Sequence, residues 1–173
     1  MPFTPVHFGL GALPGGYSSR WFSFRTFCFA NVVIDLEALY RIPLNLYPYH
    51  HWLHTFLLGT LVPLALLFPI GKPFCLWVSR VWNWIATRSA SFRSLQIPDT
   101  IHTLPAIIGV LFGSLSHVFL DSIMHGDIQP LMPFSDANPF RGLVTVSTLH
   151  VVLLVMLAIG FALFCLRVYS RNR

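Results

Sequence analysis

The chain of 173 residues is long enough for one compact domain and leaves little room for a second hydrophobic core. Hydrophobic residues make up 55% of it and charged residues only 10%, which argues against a soluble domain, since soluble domains carry about a quarter charged residues. Eleven Lys and Arg against six Asp and Glu give a net charge of +5. Because the basic residues flank apolar stretches, as lipid anchors do, we expect the bilayer as a partner and no nucleic acid.

The amino-terminal part contains two weaker helical segments. The first runs from about Pro5 to Leu13 and is predicted to end at Pro14-Gly15-Gly16, because proline and glycine interrupt helices. The second runs from about Phe22 to Tyr40 and is apolar for most of its length. A turn at residues 18–20 between them predicts a helical hairpin.

The clearest membrane span runs from about Trp52 to Ile70. Its length matches the roughly 20 residues that a helix needs to cross a bilayer. Gly71-Lys72-Pro73 is expected to close it. The segment from Pro73 to Ala86 is short and carries Arg80 among three tryptophans, which favours a helix lying in the membrane interface.

Two further spans follow a polar connection at residues 87–100. They run from about Thr103 to Ile123 and from about Leu143 to Val168. The sequence therefore predicts an all-α integral membrane bundle in a single domain, residues 1–173. It would contain four to five membrane-embedded helices and one short interfacial helix.

Ionisable side chains lie at matching ends of these segments. Burying such a group in hydrocarbon costs a few kcal/mol, so they are candidates for function. Three groups of them stand at the end of the second segment, at the start of the Trp52 span and at the end of the Thr103 span. Their members are Asp35 and Glu37; His50, His51 and His54; and His117, Asp121 and His125. If successive helices cross the membrane in opposite directions, all three groups lie at the same membrane face.

His117 and Asp121 are four residues apart, so their side chains share one face of a helix. Continuing that spacing backwards reaches Gly113 and Gly109, a G-x-x-x-G pair that lets helices approach closely in lipid. The predicted ligand row is therefore also a packing row, and it faces the interior of the bundle.

Neutral imidazoles and carboxylates are ligands for zinc, manganese or iron. The three cysteines lie far apart and form no C-x-x-C pair, so no thiolate zinc site is indicated. A mixed shell leaves positions open for water, and zinc lowers the pKa of bound water to about 7, which suits hydrolysis. We therefore expect a divalent metal, with zinc as the first choice and manganese or iron as alternatives, and Glu37 and His125 as candidate catalytic groups.

Four segments of the sequence resemble a known family, that of inner-membrane-bound metal-dependent hydrolases, some members of which are labelled LexA-binding. The segments are residues 1–9 (MPFTPVHFG), 31–37 (NVVIDLE), 50–55 (HHWLHT) and 116–125 (SHVFLDSIMH). They occur in the same order over nearly the whole chain. The family often has a basic residue after the first histidine of the pair, where this chain has His51, so which of His50 and His51 binds a metal stays open.

The resemblance implies a membrane location and a set of metal ligands, but no particular substrate. The implied ligands are His7, Asp35, His50, His54, His117 and Asp121, with Glu37 as a partner. A small-molecule or lipid-linked substrate, including a phosphate-bearing one, is compatible with the chemistry. Contact with LexA has no support in the residues.

The basic residues are distributed unequally between the two membrane faces. The face away from the histidines is predicted to carry Arg20, Arg25, Lys72, Arg80, Arg88, Arg93, Arg167, Arg171 and Arg173. The histidine face keeps only Arg41 and Arg141. Because Lys and Arg favour cytoplasmic loops, we expect a cytoplasmic carboxyl terminus and a site that faces the periplasm of a bacterial inner membrane.

Other readings of the same residues remain open. The polar residues also suit a protein that binds or transports a metal without catalysis, or a scaffold in which hydrogen bonds fix the helix register. His125 and Asp127 suit either groups that orient ligands or a solvated loop. His102 and His150 have no partner at helical spacing and are expected to be ordinary packed or interfacial histidines.

Overall fold

The computed structural model describes residues 4–17 and 20–171, and the described chain is helical without a strand. Its main helices are α1 (Thr4–Tyr17), α2 (Phe24–Arg41), α3 (Leu58–Leu66), α4 (Lys72–Thr87), α5 (Thr103–Met124) and α6 (Val146–Arg171). Since α3 and α4 are continuous, these residues form five helical rods. The predicted all-α membrane bundle is confirmed.

Helix α1 continues through Pro14 to Tyr17, so the predicted helix end at Pro14-Gly15-Gly16 is wrong. Packing against α6 compensates for the missing proline amide. Gly9 lies directly on the backbone of Leu153, and Gly160 of α6 lies directly on Ala12, with no space for a β-carbon at either glycine. Helix α1 also contacts α2, while Ser18 and Ser19 of the predicted turn lie outside the described residues.

The helix that begins at Leu58 does not end at Gly71-Lys72-Pro73, so that prediction is also wrong. A π turn at Leu67–Gly71 joins α3 to α4, with the amide of Lys72 donating to the carbonyl of Leu67. This wider turn accommodates prolines that lack an amide donor.

The combined helix Leu58–Thr87 has 30 residues and a length of about 45 Å, which is more than the roughly 30 Å thickness of the hydrocarbon core of a bilayer. The predicted interfacial segment is the second half of this helix, and a short 3₁₀ turn follows in the polar connection.

Helix α5 lies at the centre of the bundle and packs closely on α2, as the glycine pair predicts. A β-carbon on Gly109 would collide with Thr26 and the carbonyl of Ser23, and one on Gly113 would collide with the carbonyl of Phe27. The predicted ligand row of His117 and Asp121 therefore does continue a close-contact face. That contact sets the distance between the carboxyl-terminal ends of the two helices, where Asp35 and Asp121 lie.

Helix α6 begins at Val146, three residues after the predicted start, because Thr145 caps it. The hydroxyl of Thr145 accepts a hydrogen bond from the amide of Thr148 over 3.2 Å. Three helices are long and apolar enough to cross a membrane: Leu58–Thr87, Thr103–Met124 and Val146–Val168. Their length and composition support a membrane association for the described part of the chain.

Candidate metal centre

Four of the predicted site residues converge at one end of the bundle. Asp35 comes from α2, His54 from a 3₁₀ turn before α3, and His117 and Asp121 from α5. One nitrogen or oxygen atom of each lies within 4.8 Å of the corresponding atoms of the other three. His54, His117 and Asp121 are buried, whereas the Asp35 side chain is 26% exposed and forms the open edge of the cluster.

The nitrogens and oxygens of this cluster lie at distances typical of atoms that share a metal. Nε2 of His117 is 3.2 Å from Oδ2 of Asp121 and 3.3 Å from Oδ1 of Asp35. Nε2 of His54 is 3.6 Å and 3.9 Å from the same two oxygens. Ligand atoms bound tetrahedrally at about 2.0–2.2 Å from zinc lie roughly 3.3–3.6 Å apart, and the four observed separations, 3.2–3.9 Å, lie close to this range.

The orientation and tautomer of His117 are fixed by Asn31, one helical turn before Asp35 on α2. The amide nitrogen of Asn31 donates to the carbonyl of Phe27 over 2.8 Å. Its oxygen therefore faces His117 and accepts a hydrogen bond from Nδ1 over 3.0 Å. With the proton on Nδ1, the neutral ring presents the lone pair of Nε2 to the carboxylates.

Glu37 holds His54 in the corresponding way. Its Oε2 accepts from Nδ1 of His54 over 3.2 Å. The same carboxylate accepts the backbone amides of His51, Trp52 and Leu53 at 2.9–3.0 Å, which fixes the turn that carries His54. The Nε2 atom of His54 is thereby directed at the carboxylates of the cluster.

His7 of α1 lies on the far side of Asp121. Its Nε2 is 3.2 Å from Oδ1 of Asp121, and its ring packs edge-on against His117 with the centroids 4.7 Å apart. The Nε2 atoms of His7, His54 and His117 and the Oδ1 atom of Asp121 are buried and have no hydrogen-bond partner. His54 and His117 lie on the Oδ2 side of Asp121 and His7 lies on the Oδ1 side, so His7 adjoins the four-residue cluster without belonging to it.

A second cluster adjoins the first and contains His50, His125 and Asp127. Nδ1 of His50 lies 3.1 Å from both oxygens of Asp127, and the rings of His50 and His125 stack with centroids 4.3 Å apart. Burial lowers the pKa of His50 and of His125 below the usual 6.5, which favours the neutral form that binds metals. Burial alone would raise the pKa of Asp127, but His50 and nearby amides hold it below its usual value.

The structure brings His50, and not His51, to these clusters. The ring of His50 is 4.6 Å from that of His54. The ring of His51 instead packs edge-on against Trp52, and only its backbone amide joins the site, through Glu37. Metal binding by His50 or His51 stays a prediction, and of the two residues only His50 belongs to a cluster of potential ligands.

The matched family covers residues 1–134, about three quarters of the chain, and includes both clusters. This chain belongs to the DUF4184 family. The family is described as a domain of unknown function, so membership in DUF4184 assigns no activity. No curated protein and no solved structure matches the chain.

Two members of the site were not assigned a role from the sequence of this DUF4184 chain. Asn31 orients His117, and the sequence signal for it is an amide residue one helical turn before Asp35 in a largely apolar segment. Asp127 was left between a ligand-orienting role and a solvated loop. The structure places it against His50 and the backbone amides of Tyr49 and His50.

Proposed function

We propose that this chain is a membrane-bound metal-dependent hydrolase. Asp35, His54, His117 and Asp121 would hold one divalent metal ion, with zinc as the first choice and manganese or iron as alternatives. The observation that carries the proposal is the pair of Nε2 atoms, on His54 and His117, that face two carboxylates without a hydrogen bond. Because Nδ1 of each ring already donates to Glu37 or Asn31, a cation is the partner that fits between them.

A hydrogen-bonded scaffold explains this arrangement less well. A scaffold needs a donor for each acceptor, and buried polar groups left unpaired cost about 1–3 kcal/mol each. Here three buried Nε2 atoms and one carboxylate oxygen have no partner. A second proton on the rings would pair them with the carboxylates by charge, but the nitrogen–oxygen distances of 3.2–3.9 Å are long for charge-assisted hydrogen bonds, which are typically about 2.7–2.9 Å.

The surroundings of the cluster suit hydrolysis. A bound divalent metal would lower the pKa of a coordinated water to about 7 and supply hydroxide at neutral pH. Asp35 keeps one side of the cluster accessible, so water and a substrate would approach past this carboxylate. The resemblance to inner-membrane metal-dependent hydrolases supports the same reaction class, with a lipid-linked or phosphate-bearing substrate.

In this proposal Glu37 positions His54, whereas the sequence suggested a catalytic role for Glu37. It accepts three backbone amides and Nδ1 of His54, so it positions His54 instead of reaching substrate. Positioning partners of this kind keep a metal-binding imidazole in the correct tautomer. His125 stands at the edge of the site, beside His50.

The main alternative is a protein that binds or transports a metal without catalysis. A transporter needs a polar path to the other membrane face. Residues 56–70 and 104–112, which follow or precede the site in the two central spans, contain no ionisable side chain. This composition favours a site open to one face only, which suits an enzyme.

The proposed location is a bacterial inner membrane, with the site on the periplasmic face and the carboxyl terminus in the cytoplasm. The support is the charge asymmetry. Residues at the amino-terminal end of α2 and the carboxyl-terminal ends of α4 and α6 include Arg25, Arg88 and Arg167, opposite the metal cluster. Positive residues of this kind favour the cytoplasm.

The test is hydrolysis of phosphate and carboxylate esters by detergent-purified protein that has been stripped of metal and reloaded with zinc or manganese. Activity should require the metal and fall to background in His117→Ala and Asp121→Asn. His102→Ala, at the opposite end of the same helix, is the matched control and should keep full activity. Metal-independent turnover, or full activity in the two cluster variants, would contradict the proposal.

A further inference from the structure

The cluster of His50, His125 and Asp127 has the composition of a metal site in its own right. One atom from each residue lies within 4.8 Å of those from the other two. Two imidazoles and a carboxylate are three of the four ligands that a catalytic zinc usually has, with the fourth position left for water. The cluster adjoins the first through His50, whose ring contacts that of His54.

The bonding of Asp127 leaves one of its oxygens available. Oδ2 accepts the backbone amides of Tyr49 and His50 at 2.9 Å and 3.2 Å, which anchors the carboxylate. Oδ1 lies 3.1 Å from Nδ1 of His50, which is the same distance from Oδ2, and the amides of Tyr49 and His50 donate to Oδ2 and not to Oδ1. Charge-assisted nitrogen–oxygen hydrogen bonds are typically about 2.7–2.9 Å, so this contact is long for a dedicated one.

His125 supplies the second observation. Its Nε2 atom is buried without a hydrogen-bond partner, although the ring lies against a histidine and near a carboxylate. The backbone amide of His125 donates to the carbonyl of Asp121 and fixes the backbone at the end of α5, and the ring stacks on that of His50. A buried imidazole nitrogen in this position requires either a hydrogen-bond partner, which no described residue supplies, or a cation.

We propose that His50, His125 and Asp127 bind a second divalent cation beside the first. This inference rests on the proposed function, because the second ion gains a catalytic meaning only next to an occupied first cluster. Paired metal ions suit phosphoryl chemistry, since they stabilise both the attacking and the leaving oxygen. A second ion would therefore favour the phosphate-bearing class among the proposed substrates.

The experiment is the zinc content of full-length protein after equilibrium dialysis at saturating zinc, measured by elemental analysis. Wild type should retain two ions per chain. His125→Phe keeps a ring that can stack on His50, and Asp127→Asn keeps an oxygen for the amides, yet each should retain one ion. His51→Phe, on the neighbouring histidine outside both clusters, is the control and should retain two.

Each result separates this inference from the proposed function. Retention of one ion by wild type, lost in Asp121→Asn but not in Asp127→Asn, would overturn the second site and leave the first intact. Retention of two ions by both His125→Phe and Asp127→Asn would also overturn it. Absence of any bound ion in wild type would contradict both proposals.

Discussion

Asn31 and His117, which are 86 residues apart in the sequence, are joined by a 3.0 Å hydrogen bond that determines which ring nitrogen faces the candidate metal centre. Both side chains are completely buried. Because the amide of Asn31 is itself fixed on the carbonyl of Phe27, rotation of the imidazole would leave two buried groups unpaired. The contact between α2 and α5 thus prepares a lone pair on Nε2 of His117.

Asn31→Ala should weaken metal binding without removing a ligand. The substitution takes away the acceptor for Nδ1 of His117, and loss of such a partner typically costs about 10–100-fold in metal affinity. Competition with a chromogenic zinc chelator measures the change. Asn83→Ala is the control. It removes an amide that donates to Asp99 at the other end of the bundle, and it should leave the metal affinity unchanged.

Glu37→Ala should disturb the site more than Glu37→Gln. Alanine removes the acceptor for three backbone amides and for His54, whereas glutamine keeps an oxygen for part of them. Hydrogen exchange of residues 51–53 should accelerate in the alanine variant, together with a loss of metal affinity. Equal affinity and exchange in wild type and Glu37→Ala would show that the carboxylate does not position His54.

Much of the fold follows from local sequence patterns. Thr103–Met124 is apolar along its length and carries glycines at a four-residue spacing, so its membrane character and its packing face were both predictable. The course of the helices at Pro14 and Pro73 was not predictable in this way. Helix α1 continues through Pro14 where it packs on α6, and a π turn carries the helix past Gly71-Lys72-Pro73. Neither feature has a signal in the local sequence.

The same division holds for the site. The i, i+4 spacing of His117 and Asp121 predicts that they act together, because it depends on one helix alone. The hydrogen bond from His117 to Asn31 and the anchoring of Asp127 depend on how separate segments meet. Asp127 binds amides in the 42–57 connection, a tertiary contact that no spacing within α5 or its following loop encodes.

Gly113→Val should destabilise the bundle and loosen the metal site together. A side chain at this position collides with the carbonyl of Phe27, and overpacking of this kind typically costs about 1–3 kcal/mol. Unfolding by sodium dodecyl sulfate in mixed micelles measures the loss. Leu115→Ala, at an exposed position two residues along the same helix, should change stability much less.

The proposed orientation predicts the behaviour of fusions at the carboxyl terminus. Because α6 ends on the arginine-rich face, a fluorescent protein fused there should fold and fluoresce, whereas alkaline phosphatase should remain inactive. A fusion that truncates the chain after Asp136, in the connection between α5 and α6, should give the reverse result. Active phosphatase at the carboxyl terminus would place the metal cluster on the cytoplasmic face.

The most direct measurement of the candidate centre is the zinc K-edge X-ray absorption spectrum of purified protein. The account predicts nitrogen and oxygen neighbours at about 2.0–2.2 Å, imidazole scattering that weakens in His117→Ala, and no sulfur. A spectrum dominated by sulfur at about 2.3 Å, or one unchanged by His117→Ala, would contradict it.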